Sequence, residues 1–101
     1  MSEKATGVEG EPHSNRPGAG RPASDVVARR LGESAVLIRL TTNRIYELNA
    51  TGARVWELVQ QGLSRDDMVG RLAGEFEISS LAIAPDVDEL LQMLHVEGLT
   101  V

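Results

Sequence analysis

The chain has 101 residues, no cysteine, 10 Lys and Arg against 15 Asp and Glu, and a formal net charge of −5. That length holds one small domain; the absent thiols exclude disulfides, a thiolate nucleophile and a Cys-based zinc site, and the acidic balance works against phosphate backbones. No apolar h-region follows Lys4 and no apolar run approaches the roughly 18 residues of a membrane span, so the expected location is the cytoplasm, with no membrane partner.

Residues 1–24 carry Gly7, Gly10, Gly18 and Gly20, Pro12, Pro17 and Pro22, and only Met1 and Val8 as large apolar side chains. Such a segment cannot bury enough surface to offset its ordering entropy, and it reads as a disordered tail preceding one domain over residues 25–101. His13 is a solvated tail residue on this reading.

From Val26 the pattern changes. Val26–Leu31 reads as a first strand, Gly32-Glu-Ser34 as a turn, and Ala35–Leu40 as a second strand on which Val36, Ile38 and Leu40 share a face. Thr41–Arg44 is a hairpin connection in which Asn43 tolerates positive φ, and Ile45–Leu48 is the returning strand. The result is a three-stranded antiparallel meander whose first and third strands are edges.

Asn49 is placed to cap a first helix, with Val55, Trp56 and Val59 at helical spacing and Gly62 at its end. Ser64 and Asp67 resemble a capping box for a second helix with an apolar stripe of Met68, Val69, Leu72 and Phe76. Gly70 and Gly74 each weaken that helix by roughly 1 kcal/mol relative to Ala, so packing must hold it. Ile78–Ala84 is apolar without a clear period, and Pro85 predicts a break there. Asp86 and Glu89 form a fuller capping box, opening a third helix with Val87, Leu90, Leu91 and Leu94 on one face. Gly98 ends it, and Leu99-Thr-Val101 is expected to pack back. The predicted class is α+β, three strands followed by three helices.

Chemistry is sparse. His95, the one histidine of the expected domain, suits the C-terminal end of a helix dipole. Asp66 and Asp67, and Asp86, Asp88 and Glu89, fall in predicted first helical turns, where the macrodipole favours acids, and no D-x-D-x-D-G run suggests a metal. Thr51-Gly52 lacks the other glycines and the lysine of a P-loop. No catalytic residue, metal or cofactor is assigned. Trp56 reads as core, while two placements stay open for Tyr46: ring inward with its hydroxyl at the rim, or facing a partner.

Tyr46, Leu48, Asn49, Thr51, Gly52, Trp56 and Leu58, then Gly62 and Ser64, then Asp86-Val87 and Gly98-Leu99, give residues 26–101 a resemblance to the PqqD-like family, the precursor-peptide (RiPP) recognition elements of ribosomal peptide biosynthesis. The Asn-x-Thr-Gly-x-x-x-Trp pattern is most similar to the stand-alone leader-binding proteins of lasso-peptide clusters; the members that assist a radical enzyme are the alternative. The resemblance implies a winged helix-turn-helix-like fold that binds a leader peptide without catalysis and delivers it to a leader peptidase or maturation enzyme. It further implies that the leader adds as a strand antiparallel to strand three, over a cleft facing helix three. By position the implied site is Arg44, Ile45, Tyr46, Glu47 and Leu48 with Asp86, Leu90, Met93, Leu94 and Glu97. The acids of helix three suggest a leader that is neutral or basic where it docks. A winged helix could bind DNA instead, but the absence of Lys and Arg between Pro85 and Val101 argues against a nucleic-acid partner. A monomer is the default, although edge strands permit pairing.

Overall fold

Two tight turns fold the first half of the chain into a sheet. In the computed structural model, which describes residues 18–101, β1 (Val26–Leu31), β2 (Ser34–Arg39) and β3 (Arg44–Leu48) pair antiparallel in the order β1-β2-β3. Asn43, at φ 59°, takes the left-handed conformation expected of it in the second turn. The helices α1 (Ala50–Gln60), α2 (Arg65–Phe76) and α3 (Ser80–Val96) follow, so the α+β order read from the sequence is the observed one.

The pairing register decides which side chains face inward. Leu37 stands opposite Ala28 and Tyr46, and Ala35 stands opposite Leu48. Ala35, Leu37 and Leu48 are buried beneath the helices, whereas Val36 and Ile38 are half-exposed on the other face beside Ile45. Leu40, expected on β2, lies past its end and is exposed. The core continues through Val55, Trp56, Leu58 and Val59 of α1, Met68, Val69 and Leu72 of α2, and Ile83, Val87 and Leu94 of α3. Trp56 is therefore core, and its indole N–H is buried without a hydrogen-bond partner among the described residues. Phe76, assigned to the α2 stripe, is 37% exposed at that helix's last position and lies outside the buried core.

Helix ends follow the chemistry of their residues. Asn49 accepts from Gly52 N–H at 2.9 Å, and Ser64 accepts from Asp67 N–H at 3.2 Å. At the end of α3, Gly98 N–H donates to the His95 carbonyl and Leu99 N–H to the Leu94 carbonyl, a Schellman motif that requires the positive φ (76°) of Gly98. Despite Gly70 and Gly74, α2 is held by packing, with ion pairs at both ends: Arg54 to Glu75 and Arg65 to Asp88. Arg65 holds the Asp88 carboxyl below its ordinary pKa. That contribution is present above the unfolded carboxylate value and is lost as pH falls through the lowered folded one.

The third helix departs from expectation. It begins at Ser80, not Asp86, and runs through Pro85. Ser79 caps it, accepting from Ala82 N–H at 3.1 Å, after Glu77 turns the chain in the left-handed region. Proline inside a helix costs about 3 kcal/mol through a lost bond and a clash with the carbonyl four residues back. Two gains outweigh it: the Ser79 cap and the burial of Ile83, one turn ahead of Val87 on the core face. Asp86 and Glu89 consequently cap nothing.

Residues 18–24 also differ from the expected tail, whose earlier part lies outside the described residues. Ala19 N–H donates to the Leu63 carbonyl, Arg21 and Val101 exchange bonds of 3.1 and 2.8 Å, and Ala23 N–H donates to the Leu99 carbonyl. The segment thus clasps the C-terminal residues, with Pro22 opposite Thr100. A chain begun at residue 25 should be less stable than one begun at residue 18 by about 1–3 kcal/mol, given the modest net worth of each bond, as measured by urea unfolding.

Candidate functional site

The turn from β3 into α1 places one wall of the site. A Cβ on Gly52 would lie 3.2 Å from Leu48 Cβ and 3.4 Å from Asn49 Oδ1, tighter than ordinary contact, so glycine lets the first helical turn close against the strand. Asn49, Thr51 and Gly52 then face Asp86, Glu89, Leu90 and Met93 of α3 across a cleft of about 500 Å³. On α3 these positions follow i, i+3, i+4 and i+7, a stripe beside the core face. Glu97, four residues past Met93, extends it toward the start of β3.

At that end the cleft is bridged. Tyr46 Oη donates to Glu97 Oε1 at 3.0 Å, Arg44 Nη1 lies 3.5 Å from the same oxygen, and the Arg44 guanidinium sits 5.5 Å above the Tyr46 ring. Arg39 Nη1 donates to the Glu97 carbonyl at 3.1 Å and its Nε to Asp25 Oδ2 at 3.3 Å. Asp25 also accepts from Thr41 Oγ1 at 2.6 Å, and that bond above all holds its carboxyl below the ordinary value. Of the two placements open for Tyr46, the structure shows the first: ring packed on the core, hydroxyl at the rim.

The ten sequence-assigned positions separate into four groups. Asp86, Leu90 and Met93 line the cleft, and Arg44, Tyr46 and Glu97 form the bridge at its far end. Ile45 and Glu47 are exposed, but strand alternation turns their side chains to the outer face with Val36 and Ile38. Leu48 and Leu94, 4% and 0% exposed, are core and offer no side-chain surface to a ligand here. Sequence reading missed Asn49, Thr51, Gly52 and Glu89 as cleft lining, having spent Asn49 and Glu89 on capping. The spacing of Glu89 from Asp86 and Met93 carried the signal.

The outer edge of β3 has no strand partner among the described residues. In an antiparallel pair alternate residues turn N–H and C=O away from their neighbour, so this edge presents donors and acceptors beside the cleft. β3 and α3 are not among the element pairs in extensive backbone contact, whereas α1 packs on β2, β3 and α3. Between them lies the Tyr46–Glu97 bridge.

Burial first, then the bond to Glu97, raises the Tyr46 phenol above its ordinary pKa of 10.0. The folded state holds that proton more tightly than the unfolded chain, so the associated stability is complete below the unfolded pKa and is lost as pH rises through the folded one. Tyr46 is the only tyrosine, so ultraviolet absorbance reads it directly. Its titration should lie above the ordinary value in the native protein and move down in Glu97→Gln, without reaching that value because burial remains; an unmoved titration would remove Glu97 from the bridge.

No curated protein sequence matches the chain. Among solved structures, TbiB1 in complex with the TbiA(beta) leader peptide superposes with a TM-score of 0.73 at 24% identity, covering 79% of this chain and 93% of that one. A lasso peptide synthetase B1 complexed with the leader peptide gives 0.72 at 21% identity, covering 80% and 95%. At these identities the likeness is one of fold. The family model of coenzyme PQQ synthesis protein D matches residues 34–99, from the start of β2 to the residue after the Gly98 cap, and on that match the chain belongs to the PqqD family.

Proposed function

We propose that this protein is a non-catalytic recognition element that binds the leader region of a ribosomally made precursor peptide as an added strand on β3. The observation that carries the reading is the unpaired β3 edge running beside the cleft between the β3–α1 corner and α3. An added strand draws affinity from main-chain bonds and selectivity from side-chain pockets, and this edge and this cleft supply one of each. Met93 and Leu90 are half-buried and apolar at the cleft wall, and methionine adapts readily to varied partners. The similarity in fold to two proteins solved with leader peptides supports the same use.

The bound leader is delivered to a leader peptidase and maturation enzymes of lasso-peptide type. A peptide chaperone for a radical enzyme is the second reading, supported by the match to the family of coenzyme PQQ synthesis protein D. No helix among the described residues is long and apolar enough to cross a membrane, and no group of three or more His, Cys, Asp or Glu among them could hold a metal. The helix that would read a DNA groove in a winged-helix protein, α3, has no Lys or Arg.

A synthetic peptide with the leader sequence of the cognate precursor should bind with an affinity on the order of micromolar, and shift the amide signals of Ile45–Leu48 and of α3. Met93→Ala should weaken it about five- to tenfold, the loss expected for one buried apolar contact. Glu47→Pro, which deletes an edge donor, should disrupt it further. Binding that leaves the Ile45–Leu48 amides unmoved rules out strand addition.

A further inference from the structure

The groove beside β3 has an uneven charge. At the Arg44 end every charge is matched: Arg44 lies against Glu97, and Arg39 against Asp25. Further along α3, Asp88 is held by Arg65 through bonds of 2.7 and 2.8 Å. At the Leu48 end the cleft is lined by Asp86 and Glu89, both exposed, with no cation in the lining. Among the described residues neither carboxylate has a hydrogen bond or an ion pair. Nor do they serve the helix, since Ser79 caps α3 well before them. Two acids one turn apart repel each other slightly and gain nothing from the fold.

Between them and the bridge lie Leu90 and Met93. A lysine or arginine suits that order of surfaces, its aliphatic stem over the apolar pair and its charged head at the acids. The geometry points to Asp86 and Glu89 as the residues that select a basic side chain in the bound peptide, an inference that rests on strand addition to β3. Direction follows as well. A guest antiparallel to β3 has its N-terminal part beside Leu48 and Asn49, so the basic residue lies N-terminal to the segment that pairs with the strand. A parallel guest would carry it on the C-terminal side.

The test selects short random peptides displayed on phage against the full-length protein, and maps the selected peptides by amide shifts. Peptides that shift β3 should share a Lys or Arg at one fixed position N-terminal to the paired segment. Replacing it with Gln should weaken binding about five- to tenfold at low salt, and less as salt screens the pair. In Asp86→Asn/Glu89→Gln that preference should fall below about twofold, while unchanged amide signals in the β1–β2 hairpin, away from the cleft, show that the variant is folded. Selected peptides that shift β3 without a shared basic residue, or a preference unchanged in the double variant, overturn the assignment and leave strand addition standing. A library that yields no peptide shifting β3 overturns strand addition and this inference with it.

Discussion

The chain passes from β3 into α1 within one residue, and the closeness of that corner governs the rest of the molecule. Asn49 supplies the oxygen that the first helical turn needs, and Gly52 supplies the missing Cβ that lets the turn sit against Leu48. With the corner closed, Leu48 points into the core while Asn49 and Thr51 remain at the surface, one wall of the cleft. α1 is committed to the inner face of the sheet, where Val55, Trp56, Leu58 and Val59 meet Ala35 and Leu37. Because the helix leaves from the end of the last strand and covers a face, no later strand covers the edge. An open edge is ordinarily a hazard for aggregation, and here it is short and carries charged Arg44 and Glu47.

The opposite wall is set by a different balance. α3 is fixed to the core by Ile83, Val87 and Leu94, to α2 by the Arg65–Asp88 pair, and to the C-terminal residues by the Gly98 turn. Its contact with β3 passes instead through the side chains of Tyr46 and Glu97. Helix and strand are thereby held at a side chain's distance from one another. A Cβ on Gly98 would stand 2.5 Å from Arg39 Nη1, so the glycine that ends α3 also admits the guanidinium bonded to the Glu97 carbonyl. One position serves helix termination and the anchoring of the bridge.

Much of this was legible in the sequence because local chemistry and tertiary packing agree there. Asn49, Ser64, Gly62 and Gly98 mark helix ends by mechanisms that act within a few residues. β2 is apolar on both faces, so its sequence does not choose between them, and Ala35 and Leu37, not Val36, Ile38 and Leu40, are buried. Legibility failed where a distant contact outweighed a local signal. Pro85 argued for a break, and the burial of Ile83 in the core overrode it. Residues 18–24 looked too polar and glycine-rich to order, yet they pair through backbone groups with Leu99 and Val101, which composition does not encode. In the site the same limit applies: Leu94 and Met93 are neighbours of similar character, and only the packing shows that one is core and the other cleft.

The two misread features of α3 are linked. Had the helix begun at Asp86, that residue and Glu89 would have been occupied as cap and first-turn acid, stabilised by backbone N–H groups and the dipole. Extending the helix back to Ser80 removes both acids from that role, at the cost of accommodating Pro85. What the extension gains for the fold is Ile83 in the core and the Ser79 cap; what it leaves behind is a pair of carboxylates at the cleft with no structural duty. A protein stabilised by only a few kcal/mol tolerates one unfavourable position when burial elsewhere exceeds it, and the groups so released are free to be read by a ligand. The acidity of the cleft is therefore a consequence of where the helix begins, and the first turn of α3 and the selectivity assigned to Asp86 and Glu89 stand or fall on the same few residues.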